Sequence, residues 1–222
     1  TAKAINAGDL AEDFPDQPEV QANIMRAVGD AYLGVGGYTE AIDFLGRAAE
    51  IYKHVSGSDN ANTLATLGML GQAYRHAGRP KQAAEVLEHV RDALMRTLDF
   101  SDPGTRRVLS DLALVYYELG RWREAVALLE KIREAEVEAF GPAHRRSLHA
   151  ANELATLYLD LGRVGEAVGL LEGARDASVT ERGADHPSTL TLLQNLAEGY
   201  REAGRLPAAI ELLERVRDAR GR

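Results

Sequence analysis

The chain has 222 residues, of which 45% are hydrophobic and 27% charged, so it can bury a core and is not a disordered polymer. Its 34 acidic residues exceed its 26 basic ones, and the net charge of −8 argues against nucleic-acid binding, which needs a basic surface. The absence of cysteine excludes disulfides, thiol nucleophiles, iron–sulfur clusters and cysteine-ligated zinc.

The first predicted element is a helix from about Ala2 to Glu12. We expect residues 1–20 to form this helix and a leader that cap the apolar face of the first helical hairpin, as terminal elements do in stacked arrays. The chain opens with Thr1 and shows no signal-peptide pattern, so we expect a fragment of a longer protein. No stretch approaches the roughly 18–20 apolar residues that span a bilayer, and we expect a cytoplasmic protein.

From residue 21 onward one spacing of 42 residues recurs, which is the signature of a repeat architecture. Its most regular member is a tyrosine, found at Tyr32, Tyr74, Tyr116, Tyr158 and Tyr200. Glycine or alanine stands three residues before each tyrosine, glycine four after it, alanine nine after it and leucine thirteen after it. The pattern predicts five copies of one structural unit.

The fourth copy illustrates the expected secondary structure. Its apolar residues at positions i, i+3, i+4 and i+7 are Ala151, Leu154, Ala155 and Tyr158. This spacing is typical of an amphipathic helix, which Gly162 would end because glycine adopts the left-handed conformation without a steric penalty. A second helix follows, with Ala167 and Leu171 on its inner face. We expect the small residues of the two helices to face each other and bring the axes to the short end of the usual range of roughly 8–10 Å.

The linkers between copies end in a hydroxyl residue, namely Thr63, Thr105, Ser147 or Thr189. We predict each hydroxyl to be the N-cap of the helix that follows. Pro103 and Pro187, two residues earlier, would block continuation of the preceding helix. His144 and His186 recur at one linker position, which favours a structural role in the turn over metal binding.

The pattern small–x–x–Tyr–x3–Gly–x4–Ala–x3–Leu on two helices resembles the tetratricopeptide repeat, lengthened from the usual 34 residues to 42. HEAT repeats have a comparable length, but the glycine between the helices and the pair of small residues fit the tetratricopeptide pattern better. The linker Gly-Ala-Asp-His-Pro-Ser-Thr-Leu at 183–190 resembles the kinesin-light-chain subclass, and 141–148 is a degraded copy of it. Residues 14–20 resemble the region after the kinase domain of some bacterial serine/threonine kinases.

The resemblance implies an all-α fold, a right-handed superhelix (α-solenoid) of five helical hairpins with an N-terminal capping helix. The predicted copies are residues 21–62, 63–104, 105–146, 147–188 and 189–222.

Motifs for catalysis are missing from the sequence. The glycines stand singly at predicted helix ends and form no phosphate-binding loop, and the protein-kinase motifs are absent. No histidine pair has the i, i+4 spacing of a zinc site. We therefore predict no enzymatic activity, no metal and no cofactor.

Three interpretations concern individual side chains. The glutamate-rich run at 134–138 is interpreted as a solvated helix face, and Trp122 as a core residue. The arginine that follows four of the turn glycines is expected to extend over the turn, at Arg79, Arg121, Arg163 and Arg205.

The resemblance also implies that the first helix of each pair lines a concave groove. The stripe of that helix not committed to the core runs through positions −9, −6, −5, −2, +1 and +2 relative to the tyrosine. From this stripe we predict the peptide-binding residues Arg75, Arg107, Asp111, Leu114, Tyr117, Glu118, Asn152, Glu153, Leu159, Asp160, Gln194, Asn195, Glu198 and Glu202. The stripe is mixed in the earlier copies and acidic in the later ones, with Leu114, Tyr117 and Leu159 as apolar anchors.

Chaperone-binding members of the family hold a peptide's terminal carboxylate in a clamp of lysine, asparagine and arginine. The first three copies place Arg26, Asp30, Met69, Arg107 and Asp111 there. Only two of these are basic, so a carboxylate clamp is not expected.

These observations lead to a hypothesis of a non-catalytic interaction scaffold that binds a protein segment, extended or helical, carrying basic and apolar side chains. The parent chain would be a larger bacterial signalling protein. An alternative is weak self-association through the final helix, where Ile210, Leu213 and Val216 have no following repeat to cover them. We predict no binding to nucleic acid, because the groove carries the wrong charge, and none to membranes.

Overall fold

The structure, a computed structural model, describes residue 14, residues 16–97 and residues 103–221. Within these ranges the chain forms ten α-helices and no strand, so the predicted all-α class is confirmed. None of the helices seen there combines the length and hydropathy needed to span a membrane. The predicted helix from Ala2 to Glu12 lies outside the described residues.

The ten helices of the described ranges follow one another in five pairs, each joined by a short turn. They are α1 (Pro18–Gly34) and α2 (Tyr38–Ser56), α3 (Ala61–His76) and α4 (Pro80–Thr97), α5 (Pro103–Glu118) and α6 (Trp122–Phe140), α7 (Arg145–Asp160) and α8 (Val164–Arg182), and α9 (Pro187–Glu202) and α10 (Leu206–Arg220). The chain divides into two compact units between Ala125 and Val126, and each unit is described by itself. In unit 1 α1 packs on α2 and α3 on α4, and in unit 2 α7 packs on α8 and α9 on α10.

The turn within each pair has the geometry that the glycine predicts. Gly162 has a φ of 70°, in the left-handed region that disfavours other residues. The N–H of Arg163 donates a hydrogen bond back to the Tyr158 carbonyl at 2.8 Å, which satisfies a carbonyl at the end of α7. The other four turns repeat the same bond to their tyrosine carbonyl. The tyrosine–glycine spacing therefore encodes the end of each first helix.

The predicted hydroxyl N-caps are wrong at all four linkers, because each helix begins two residues before its hydroxyl. α7 begins at Arg145, two residues before Ser147, and its N-cap is His144, whose Nδ1 accepts a hydrogen bond from the Arg146 N–H at 3.3 Å. His186 caps α9 in the same way, and Asn60 caps α3 through its side-chain oxygen. The structural role predicted for the two histidines is confirmed.

The hydroxyls instead tie the start of one helix to the end of the helix before it. Ser147 donates to the Gly141 carbonyl at 2.7 Å, Thr63 to Gly57 at 2.8 Å and Thr189 to Gly183 at 2.9 Å. Because each helix begins two residues before the hydroxyl, its backbone N–H groups at that point are capped already. The hydroxyl is free to donate to a carbonyl just beyond the end of the preceding helix, and at Gly57 and Gly141 it adds to a long backbone hydrogen bond of 3.4 Å.

Small residues bring the helices of each pair together in unit 1, as predicted, but the closest partner differs. A Cβ added at Gly29 would lie 2.7 Å from Leu45 Cγ, and one added at Gly71 would lie 2.5 Å from Leu87 Cγ. The tight contact is therefore with the repeated leucine rather than with the alanine four residues before it. That alanine is fully buried in both pairs.

Three side-chain interpretations are corrected by the structure. Trp122 is 54% exposed, because as the first residue of α6 it lies at the turn and not on the inner face. Glu136 in the predicted solvated run is 1% exposed and pairs with Arg146 Nε at 2.8 Å, while Glu134 and Glu138 are exposed as expected. Val216 is buried against α9 and is not part of an open final face.

Candidate functional site

One contact recurs at three of the junctions between successive helical pairs. The hydroxyl of Tyr158 donates a hydrogen bond to Glu130 Oε1 at 2.6 Å, and the guanidinium carbon of Arg163 lies 4.3 Å from the tyrosine ring centroid. Two further sets make the same contacts, Tyr116 with Arg121 and Glu88, and Tyr200 with Arg205 and Glu172. The expected position of the arginine over the turn is thereby confirmed at Arg121, Arg163 and Arg205.

These contacts give three of the five repeated tyrosines a structural role. Burial, assisted by the hydrogen bond to Glu130, raises the pKa of Tyr158 to about 12. Burial also raises the pKa of Tyr116 and Tyr200. The groups available to a ligand are therefore those on the neighbouring stripe of the first helices.

In unit 1 the structure brings together three of the predicted site residues. Arg75 on α3 lies with its Nη1 3.3 Å from Glu118 Oε1 and its Nη2 3.9 Å from Asp111 Oδ1, both on α5. Gln72 Nε2 donates to Asp111 Oδ2 at 3.5 Å. The cluster is held between two first helices, and the guanidinium offsets part of the charge of the two carboxylates.

Exposed apolar side chains adjoin this cluster on α5. Leu114 is 46% exposed and Tyr117 is 36% exposed, and both lie within two turns of Asp111 on the same helix. Arg107 is exposed one turn before Asp111. The charged cluster and these apolar side chains therefore share one surface of α5. We call Arg75, Arg107, Asp111, Leu114, Tyr117 and Glu118 the α3/α5 patch.

In unit 2 the predicted residues form an amide pair. Asn195 Nδ2 on α9 donates to Asn152 Oδ1 on α7 at 3.0 Å, and Gln194 Oε1 accepts from Arg220 Nη2 at 2.8 Å. Each asparagine amide can make more hydrogen bonds than this single one. Side-chain amides of this kind can bind the main chain of a peptide without selecting its side chains.

The acidic residues of unit 2 are partly neutralised. Glu198 Oε1 and Glu202 Oε1 both lie 2.5 Å from Arg201 Nη2, and the hydrogen bond from Arg201 lowers the pKa of Glu198. Glu153 lies 3.5 Å from His149 Nδ1, and Asp160 is exposed. Leu159 is half-buried beside α9 and is less open than an anchor should be. We call Asn152, Glu153, Leu159, Asp160, Gln194, Asn195, Glu198 and Glu202 the α7/α9 patch.

Sequence reasoning placed Gln72 and Arg201 on the stripe, at positions −2 and +1, but did not predict that they bond to Asp111 and Glu198. Arg220, which donates to Gln194, lies on α10 and outside the stripe. The three-residue spacing from Glu198 to Arg201 could have predicted their ion pair, because residues i and i+3 are neighbours on a helix surface. Among the described residues no group of three or more histidine, aspartate or glutamate side chains is placed to hold a metal ion.

The sequence matches a known family model. The model of the tetratricopeptide repeat matches residues 20–96, 104–177 and 146–221. No curated protein matches the sequence.

Solved structures similar to this chain are helical repeat proteins. Nearly identical TPR-like repeats assigned to a kinesin light chain of Podospora anserina are 30% identical, with a TM-score of 0.83 over 92% of this chain and 97% of theirs. BtubC (BKLC) from P. vanneervenii is 19% identical, with a TM-score of 0.76 over 97% of this chain and 85% of its own. MamA from Desulfovibrio magneticus RS-1 is 17% identical, with a TM-score of 0.63 over 90% of this chain and 94% of its own. The last two share the fold, and the first confirms the resemblance to kinesin-light-chain repeats.

Proposed function

The chain belongs to the tetratricopeptide repeat family, and we propose that it is a scaffold whose first helices bind a segment of another protein. Proteins built from this repeat generally act as interaction scaffolds, and the fold is typically non-catalytic. The observation that carries the proposal is the α3/α5 patch, where Leu114 and Tyr117 are exposed beside a charged cluster. Large apolar side chains on a surface of this kind mark interaction sites.

The chemistry of the patch favours a segment with both apolar and basic side chains. Leu114 and Tyr117 would supply contacts from which water is excluded. Asp111 and Glu118 attract a cation, and Glu118 remains partly open to solvent beside Arg75. A basic side chain of the segment could therefore bind Glu118 without displacing Arg75 from Asp111.

The α7/α9 patch would bind the main chain of such a segment. The amides of Asn152 and Asn195 offer donors and acceptors to peptide groups, and Glu153 and Asp160 add negative charge nearby. From the resemblance of residues 14–20 we further propose that the chain is a cytoplasmic module of a larger bacterial signalling protein.

The test is an array of short peptides that vary in basic and apolar content, followed by fluorescence polarisation of the peptides that bind. We expect the Leu114→Ala/Tyr117→Ala variant to lose at least about tenfold in affinity, since an anchor side chain is worth more than ~1 kcal/mol. Trp122→Ala is the matched control, because Trp122 is exposed in the same unit but lies at a turn. Equal losses in both variants would refute the proposal.

Self-association is a second candidate, favoured by one observation on α10. Leu206, Ile210 and Leu213 are about half exposed there, with exposed fractions of 55%, 56% and 49%. An apolar stripe of this kind could bind another copy weakly. Light scattering would show concentration-dependent mass in the native chain and its loss in Ile210→Lys/Leu213→Lys, whereas an unchanged monomer in both would exclude it.

A further inference from the structure

The second helices of the pairs carry an arginine followed directly by an acidic residue, at positions that recur every 42 residues. The guanidinium and carboxylate lie 2.7 Å apart in Arg91–Asp92 and Arg175–Asp176, and 2.8 Å apart in Arg217–Asp218. In α2 the corresponding residues are Ala49 and Glu50. The first pair therefore keeps the carboxylate but lacks the arginine that accompanies it elsewhere.

The same junction lacks a second contact of the repeat. Glu88 accepts the hydroxyl of Tyr116 one repeat later, and Arg91 Nη1 donates to that hydroxyl. The residue that corresponds to Glu88 in α2 is Gly46. Both charged side chains that α4 contributes to its junction with α5 are thus replaced by small residues in α2.

A cavity of about 260 Å³ lies at this junction, between α2, α3 and α4. Its apolar lining includes Ala49, Leu67 and Val86, and its lining also carries the carboxylates of Glu50 on α2 and Glu85 on α4. Lys53 is the cation nearest to Glu50, with its Nζ 3.9 Å from Glu50 Oε1, at the limit of an ion pair. The cavity is smaller than the roughly 300 Å³ at which sites for drug-sized ligands begin, so it suits one side chain or a molecule of that size.

We propose that this α2–α4 cavity binds a guanidinium group on an alkyl stem, the chemistry of an arginine side chain. The planar guanidinium pairs with carboxylates through two parallel hydrogen bonds, which a compact ammonium such as Lys53 cannot do. Glu50 and Glu85 supply the carboxylates, and Ala49, Leu67 and Val86 cover the methylene stem. Ala49, which stands where the other repeats have the arginine, is part of the cavity wall.

The test uses the 222-residue chain with labelled methyl groups, titrated with N-acetyl-arginine amide and followed by NMR. The resonances of Leu67 and Val86 shift and saturate at millimolar ligand, as expected for a small ligand in a shallow site. N-acetyl-citrulline amide, the neutral isostere, produces no saturable shift. A saturable shift with citrulline, or none with arginine, overturns the proposal.

Two variants separate binding from folding. Ala49→Arg restores the arginine–acid pair of the other repeats and abolishes binding, while circular dichroism shows that the helices remain. Glu50→Gln/Glu85→Gln changes two exposed carboxylates and weakens binding at least tenfold, which keeps the proposal testable if Ala49→Arg misfolds. Native affinity in both variants overturns it.

A peptide with one arginine among neutral residues distinguishes the source of the ligand. Tighter binding of the peptide than of N-acetyl-arginine amide assigns the cavity to a protein segment. Equal affinities assign it to a small guanidino compound. Both outcomes support the guanidinium site, which is independent of the α3/α5 and α7/α9 patches.

Discussion

Tyr158 on α7 donates its hydroxyl to Glu130 on α6, a residue 28 positions earlier, at 2.6 Å. The bond joins the first helix of one pair to the second helix of the pair before it, and it recurs at Tyr116–Glu88 and Tyr200–Glu172. Apolar packing alone is tolerant of small sliding, whereas a buried hydrogen bond has one good geometry. We infer that this contact sets the register in which successive pairs stack.

Removal of the hydroxyl tests that inference. Tyr158→Phe should lower the free energy of unfolding by about 1 kcal/mol, the usual net value of a hydrogen bond, and more if Glu130 is left unsatisfied. Urea unfolding followed by circular dichroism measures it. Tyr117→Phe is the matched control, because Tyr117 is exposed, and it should change stability by less than about 0.5 kcal/mol. Equal costs in the two variants would contradict a special role for the junction.

The raised pKa of Tyr158 predicts a loss of stability in alkali. Its folded pKa is about 12 against an ordinary value of 10.0, so the folded state holds the proton more strongly than the unfolded state does. Its stabilising contribution is complete below pH 10 and is lost as the pH rises through 12. The free energy of unfolding should therefore fall less steeply between pH 10 and 12 in Tyr158→Phe than in the native chain. Parallel slopes would show that Tyr158 titrates normally.

The close approach at Gly71 predicts a cost for a single methyl group. A Cβ there would lie 2.5 Å from Leu87 Cγ, so the Leu87 side chain or the helix that carries it must shift. Alanine stands at the same place in the last three copies, so the shift is tolerable. Overpacking costs roughly 1–3 kcal/mol and the higher helix propensity of alanine returns up to about 1 kcal/mol, so Gly71→Ala should cost about 1 kcal/mol net. Gly173→Ala is the control, since a Cβ there meets nothing within 4 Å, and it should stabilise α8 by up to about 1 kcal/mol. Thermal unfolding of both variants gives the comparison.

The helical pairs could be predicted from the sequence because their signals are local. The tyrosine–glycine spacing and the positive φ of the glycine act within about one helical turn, and the period of 42 residues repeats these signals along the chain. Contacts between side chains that are distant in the sequence leave no such local signal. That Ser147 would bond to Gly141, or that Glu136 would be buried, depends on how one helix folds back on the next.

The candidate site was predictable in position but not in charge. The stripe relative to the tyrosine named Arg75, Asp111 and Glu118, which the fold does bring together. From the stripe alone, Glu198 and Glu202 were expected to be open carboxylates, although Arg201 pairs with both. Counting charges along a helix face overlooks such pairing, because the rotamers that form ion pairs are chosen only in the folded chain.

The ion pair between Glu136 and Arg146 predicts that loss of Arg146 alone lowers the free energy of unfolding strongly. A second substitution, at Glu136, should restore most of it. Glu136 is 1% exposed, so Arg146→Ala leaves a buried charge without its main partner and should cost about 3–5 kcal/mol. The corresponding residue of α4 is Leu94, which suggests that the space accepts a leucine. Arg146→Ala/Glu136→Leu should recover most of the loss, because replacing both members of a buried pair by apolar groups is often neutral. Arg145→Ala, at an exposed neighbouring position, is the control and should change stability by less than about 0.5 kcal/mol. Urea unfolding of the three variants measures these differences in stability. A double variant no more stable than Arg146→Ala would mean that the arginine stabilises the junction by packing over Phe140 and not by its charge.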